Sequence, residues 1–274
     1  MNLIIPEWNA PENILTFSTV RYGGVSESPF QGDDSGKNGL NFGMHVGDSP
    51  LAVQKNRAIL RKELPAEPVW LNQVHGTTVV NGESVVGIPD ADASFSEKND
   101  VVCTIMTADC LPVLLCDKAG TVVAAAHAGW KGLAGGILEN TVSVMREKTN
   151  SEIMAWLGPA IGPDAFEVGE DVRWVFVQKN PLMESAFVVR KNRVGKYLAD
   201  IYALAKMTLD RLGVTDVSGG GFCTVTDKER FYSYRRDGVT GRMATGIWMV
   251  DWKPVVLMSY APDFKGLKFH NRAK

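Results

Sequence analysis

Two apolar runs separated by a short polar cluster mark the middle of the chain. Residues 111–116 read as a buried strand, Asp117-Lys118-Ala119-Gly120 as a turn, and residues 121–126 as the returning strand of a hairpin. The β-branched, apolar run 101–106 predicts a central strand just upstream. Further strands are expected at 14–21, stopped by Tyr22-Gly23-Gly24, and at 69–74, delivering His75 at its end. Residues 153–157 read as a buried strand stopped by Gly158-Pro159, and residues 231–235 and 247–250 as late strands. Helical spacing is evident elsewhere. Ser49 as N-cap with Pro50 at the first helical position starts a helix to about residue 62. Residues 135–148 place Ile137, Leu138, Thr141, Val142 and Met145 on one face. A short helix is expected over 170–178. The clearest amphipathic helix is 196–212, with Leu198, Ile201, Ala205, Leu209 and Leu212 in phase and Gly213 ending it. The Ser/Gly/Asp/Asn-rich segment 27–40 reads as a surface loop. Strands outnumber helices and include a hairpin. The expected fold class is therefore mixed α/β (α+β) rather than a repeating βαβ array.

Composition adds bounds. The chain has 274 residues, 45% hydrophobic and 22% charged, enough for a sizeable core and against disorder. A net charge of −2 argues against a nucleic-acid partner. No apolar run reaches transmembrane length, so no membrane partner is expected. The first residues lack the charged and apolar regions of a signal peptide. The four cysteines, Cys103, Cys110, Cys116 and Cys223, show no C-x-x-C or secreted-scaffold spacing. A reduced, cytoplasmic setting is expected.

Candidate chemistry sits at the ends of the hairpin. If Cys116 pairs with Thr121, the same register sets Cys110 opposite His127, with Cβ atoms roughly 4.5–5.5 Å apart on one face. Such a thiol and imidazole can share a metal or act as nucleophile and base. With His75 as a third ligand the set is His2Cys with an open fourth position, the pattern of a catalytic zinc site. Two satisfied histidines beside a buried free cysteine fit the spacing as well. Asp109 reads either as the carboxylate orienting a ligand imidazole or as a turn residue. Glu167 and Glu170 read as helix caps or as a general acid/base near the metal. Arg21, before Gly23-Gly24, is either an anion holder or a solvated arginine. Gly219-Gly220-Gly221 lacks the dinucleotide-binding pattern, and no phosphate-loop motif is present.

Several ordered blocks resemble the YfiH-like family. They are Thr19-Val20-Arg21-Tyr22-Gly23-Gly24-Val25-Ser26, His45-Val46-Gly47-Asp48, Asn72-Gln73-Val74-His75-Gly76 and Met106-Thr107-Ala108-Asp109-Cys110-Leu111-Pro112-Val113. His127-Ala128-Gly129-Trp130-Lys131-Gly132, Leu157-Gly158-Pro159-Ala160-Ile161-Gly162 and Tyr234-Arg235-Arg236-Asp237 complete the set. The family carries the names laccase-like polyphenol oxidase, purine nucleoside phosphorylase and peptidoglycan editing factor. The resemblance implies one domain over 1–250, packed mixed β-sheets with helices outside, followed by a C-terminal extension at 251–274. It also implies a zinc site whose ligands are His75, Cys110 and His127. The 30–38 loop is longer than the family usually has, and Gly221-Phe222 stands where relatives carry polar residues.

The function the resemblance implies is a zinc-dependent purine nucleoside enzyme. It would use phosphate to release the base from adenosine, inosine or methylthioadenosine, and would deaminate adenosine. Nucleoside and phosphate are then the partners, and the oligomeric state stays open. Arg21 with Asn41 is the expected phosphate anchor, and Glu167 the expected proton shuttle beside Cys110 and His127. Alternatives are editing of a wrongly incorporated amino acid in cell-wall precursors, a metal-free Cys110–His127 hydrolase, and a copper oxidase. Copper fits a His2Cys set, but a four-copper site needs about ten histidines and the chain has four.

Overall fold

The computed structural model describes residues 2–251. The expected C-terminal extension, beyond Asp251, lies outside the described residues. In chain order the first elements are β1 (Leu3–Ile4), β2 (Ile14–Thr19), β3 (Tyr22–Ser26), α1 (Pro50–Arg61), β4 (Val79–Asn81), β5 (Ala93–Ser96) and β6 (Cys103–Thr107). The hairpin β7 (Leu111–Asp117) and β8 (Val123–Ala128) follows, then α2 (Trp130–Gly135), α3 (Ile137–Arg146) and β9 (Ile153–Leu157). The rest are β10 (Glu167–Gly169), α4 (Glu170–Lys179), β11 (Phe187–Val189), β12 (Lys196–Ala199), α5 (Ile201–Arg211), β13 (Asp216–Gly219), α6 (Tyr234–Asp237) and β14 (Met243–Met249).

The central sheet has six strands in the order β13-β9-β7-β8-β5-β4, and is parallel only at its two ends. Its middle strands are buried on both faces, which is why β7 reads as an unbroken apolar run. Side chains alternate across it. Val113, Leu115, Ala124 and Ala126 face a core shared with Ile137, Leu138 and Val142 of α3 and Ile201, Leu204 and Leu209 of α5. Leu114, Cys116, Val123 and Ala125 face the other way, onto Cys103, Ile105, Ile247 and Met249 of a four-stranded antiparallel sheet, β1-β2-β14-β6. Helices thus cover one face of the central sheet, and a second sheet covers the other. The mixed class and the helices outside the packed sheets are as expected. A small sheet, β10-β12-β11, completes the fold.

Several expected elements are corrected. The hairpin register is offset by two: Cys116 pairs with Val123, and His127 faces Pro112 rather than Cys110. The Asp117 carboxylate causes this, accepting hydrogen bonds from the Thr121 and Val122 N–H groups at 2.7 and 3.1 Å and drawing both residues into the turn. Cys110 lies before β7, just after Asp109 at φ 90°. The 69–74 segment is not a strand; it touches its neighbours at the bridges Val69↔Cys103 and Asn72↔Asp90. Gln73 instead pairs its side-chain amide with both backbone groups of Met106, each at 2.8 Å. β6 therefore ends its sheet and is not central. The helix expected from 196 begins at Ile201, because Lys196–Ala199 pairs as β12 and Asp200 caps the Ala203 N–H at 3.0 Å. Residues 231–235 do not form a strand. Ser233 caps the short helix α6 there, accepting from the Arg236 N–H. Pro50 does open α1, but Ser49 makes no side-chain cap.

Candidate metal centre and its two cavities

His127 stands near the end of β8, where alternation turns it away from the helix-packed core. It is 3% exposed. Its Nδ1 lies 2.8 Å from Oδ1 of Asp92, which is fully buried just before β5. A carboxylate there accepts the Nδ1 proton, which leaves the Nε2 lone pair for a metal. The same carboxylate accepts backbone N–H groups from His75 at 2.9 Å, Gly76 at 2.6 Å and Val74 at 3.3 Å. His75 sits at φ 60°. That left-handed conformation costs about 1–2 kcal/mol in a non-glycine residue, and the Asp92 bonds hold it. One carboxylate thus positions two imidazoles.

Cys110 completes the group. Its Sγ is 3.7 Å from His75 Nε2. One ligand atom from each of His75, Cys110 and His127 lies within 4.8 Å of the others. Ligands on a tetrahedral zinc sit roughly 3.3–3.7 Å apart, from bond lengths of about 2.0–2.3 Å. The group needs only a small contraction to close on an ion, so the residues fit a metal. Gly129 supplies the space: a Cβ there would lie 2.9 Å from Cys110 Sγ and 3.1 Å from the His75 ring.

The charges agree. Burial pushes the Cys110 thiol up, but the neighbouring His127 and His75 outweigh it and bring its pKa down to about 6. Burial pushes His127 down, yet Cys110 and Asp92 together raise it to about 9. Asp92 is held below the usual carboxylate value: burial opposes ionisation, and His127 with the N–H groups of Gly76 and His75 prevails. Without metal the site is a thiolate–imidazolium pair. A metal takes the place of that proton, because its ligands must be deprotonated thiolate and neutral imidazole.

Two cavities meet at the triad. The first, a cleft of about 340 Å³, passes His75 and Cys110 and is walled by Trp130, Ile161, Phe166 and Ile201, with Lys131 and Arg235 also lining it. The second, of about 380 Å³, adds His127 and is walled by His45, Gln73, Met106, Thr107 and Arg242.

A family described as multi-copper polyphenol oxidoreductase laccase matches residues 15–250. A purine nucleoside phosphorylase of Pseudomonas aeruginosa is 52% identical over 248 residues, 90% of this chain and 98% of that one. The purine nucleoside phosphorylase YfiH of Escherichia coli is 50% identical over 252 residues, 90% of this chain and 99% of that one. A crystal structure of a Neisseria meningitidis protein superposes with a TM-score of 0.84 at 50% identity, covering 91% of this chain and all of that one.

The chain belongs to the YfiH-like family.

The three ligands that the YfiH-like resemblance implies are brought together here. The other expected site residues lie apart from them. Arg21 donates to the carbonyls of Gln31 at 3.1 and 2.6 Å and Lys228 at 2.9 Å, and stacks over Tyr232. Asn41 is buried and accepts the N–H groups of Gly43 and Arg242. The Glu167 carboxylate pairs with Arg193 at 2.6 Å and Arg190 at 3.4 Å. None of the three lines either cavity. Asp109 binds no imidazole: it accepts the Thr224 hydroxyl and the Arg235 N–H, each at 2.6 Å. Asp92 takes the orienting role expected of it. Neither Asp92 nor Arg242 stands in a motif that points to a site. Asp92 lies within an Asp-Ala-Asp-Ala stretch that carries no local sign of which carboxylate turns inward.

Proposed function

We propose that this chain is a zinc-dependent purine nucleoside phosphorylase that also deaminates adenosine. The observation carrying the reading is the convergence of His75, Cys110 and His127 around one point at the edge of an apolar cleft. Relatives at about half identity that bear the phosphorylase name support it. Zinc bound there supplies positive charge for an oxygen of substrate or water.

The chain's own residues do the rest. Asp92 holds His127 in the tautomer that presents Nε2, and fixes the His75 turn. The Trp130 and Phe166 rings, with Ile161 and Ile201, offer apolar surface for a flat purine and exclude water from the sugar–base bond. Phosphorolysis breaks the C1′–N9 bond and forms a C1′–O bond to phosphate. The base leaves protonated at nitrogen with the proton that hydrogen phosphate gives up, and the sugar 1-phosphate remains. Adenosine, inosine and methylthioadenosine share the purine and ribose that such a cleft grips, so all three are expected substrates. Zinc is preferred over copper because the donor set is a single His2Cys centre in a chain of four histidines. All four cysteines are free, which suits a reducing cytoplasm.

The test is product analysis of zinc-loaded protein with adenosine, with and without phosphate. Adenine and ribose 1-phosphate are expected only with phosphate, and inosine with or without it. No release of base from any of the three nucleosides, whatever the phosphate level, would overturn the reading.

A further inference from the structure

We propose that the second cavity is an oxyanion site that takes inorganic phosphate, held by Arg242 and His45 across the metal triad from the nucleoside cleft. The proposal deepens the phosphorylase reading and rests on it for the identity of the anion's partner. Four observations lead to it.

The first is a cation with no hydrogen-bonded carboxylate. Arg242 is half-buried, and among the described residues it makes no ion pair with a carboxylate. Its Nη1 donates to the carbonyls of Thr240 and Gly241, both at 3.0 Å. A guanidinium carries five N–H donors in a planar fork suited to a bidentate oxyanion. Burial opposes this charge, and Cys110 and Asp109 favour it without bonding the fork. Arg21 differs: its Nε, Nη1 and Nη2 all have carbonyl partners.

The second is that the cation is fixed in place. Oδ1 of Asn41 accepts the Arg242 N–H at 2.8 Å and the Gly43 N–H at 2.9 Å. Its Nδ2 donates to Asp48 at 2.9 Å. One buried amide therefore ties the start of β14 to the loop that carries His45. Gly43 makes the fit close, since a Cβ there would stand 2.9 Å from Cγ of Arg242.

The third is the company the cation keeps. His45, Gln73 and Thr107 also line this cavity and no carboxylate does; its thiolate, Cys110, is one that a bound metal would take up.

The fourth is placement. The two cavities share His75, Cys110, Ala108 and Tyr234, so each opens on the triad. Displacement at C1′ brings the incoming oxygen to the face opposite the departing base. A nucleoside in the apolar cleft and a phosphate in the cationic cavity would reach the triad from two separate cavities. Lys131 and Arg235 offer charge in the cleft itself, but both are exposed, and Arg235 donates to the Ala165 and Glu167 carbonyls.

The test is calorimetric titration of zinc-loaded protein with inorganic phosphate, beside steady-state phosphorolysis of adenosine. Arg242→Gln should weaken phosphate binding about tenfold or more, the loss expected for a charge-assisted hydrogen bond. The KM for phosphate should rise in step while the KM for adenosine stays put. Arg242→Lys, which keeps the charge and loses the fork, should fall between. It also covers the case in which the glutamine variant does not fold. Lys131→Gln should leave phosphate affinity unchanged. Unchanged phosphate affinity in Arg242→Gln, or loss in Lys131→Gln instead, would overturn the proposal. The two claims fail separately. Arg242-dependent phosphate binding without any nucleoside turnover supports the anion site and sinks the phosphorylase. Phosphate-dependent adenine release indifferent to Arg242 does the reverse.

Discussion

The two histidines of the triad reach the same point by opposite routes. His127 is buried at 3% exposure on a central strand, and its imidazole bonds Asp92 directly. His75 is exposed on a turn with φ 60°, and Asp92 holds only its backbone. One ligand is therefore part of the folded core, and the other is a side chain on a pinned turn. Half of the candidate metal site is thus built into the fold without any ion. Asp92 and His127 belong to the fold, whereas the His75 imidazole meets only the Cys110 thiol at 3.7 Å and the His127 ring edge-on.

The largest test of this contrast is the pair His127→Ala and His75→Ala. Both should lose zinc. In denaturant unfolding of the metal-free proteins, His127→Ala should cost roughly 2–4 kcal/mol, because it leaves the buried Asp92 carboxylate without its charged partner. His75→Ala should change stability by less than about 0.5 kcal/mol, as exposed substitutions do. Equal losses would break the comparison.

Asp92→Asn comes next. The amide keeps the shape but cannot serve both His127 Nδ1 and the backbone N–H groups of residues 74–76 as a carboxylate does. Zinc affinity should fall about 10–100-fold, the usual loss when an orienting partner is removed, as read by competition with a chelator. Unchanged affinity would mean that Asp92 has no orienting role.

A smaller, sharper test uses pH. In the metal-free protein the Cys110 thiol is pulled down to about 6 from an ordinary 9.0. The thiolate is the reactive form and exists above that midpoint. Alkylation of Cys110, followed by peptide mass, should therefore rise as pH climbs through about 6, and in His127→Ala the rise should move to higher pH. Burial holds the thiols of Cys103 and Cys116 in the protonated form, so they should stay unmodified over that range. A Cys110 profile unaffected by His127→Ala would contradict the pairing.

The smallest expected effect is at Glu167→Gln. Its carboxylate pairs with Arg190 and Arg193 at the surface, and exposed pairs contribute at most about 1 kcal/mol. Zinc affinity should not move. A tenfold fall in zinc affinity would bring Glu167 back to the metal.

Legibility in the sequence follows the same division. The buried strands and the α3 face were readable because burial on both sides, or on one stripe, writes itself into local composition. Register was not, since it turns on Asp117 accepting two N–H groups across its own turn. The β12–α5 boundary was hidden because Leu198 keeps helical phase with the helix that Asp200 caps. The expected register sets Cys110 opposite His127, and the actual one is offset by two. The two side chains still converge, because Cys110 lies outside the ladder on the bend at Asp109. His75 is a candidate from its residue type at a predicted strand end, and no register ties it to the pair. Asp92 and Arg242 act through partners 16 to 201 residues away in the chain, and no local pattern marks them.

The most direct measurement is metal content by elemental analysis of untagged protein, wild type beside Cys110→Ala. One zinc per chain is expected in the first and none in the second, with both folded. One zinc per chain retained in Cys110→Ala would contradict the His75–Cys110–His127 centre, and with it the chemistry built around it.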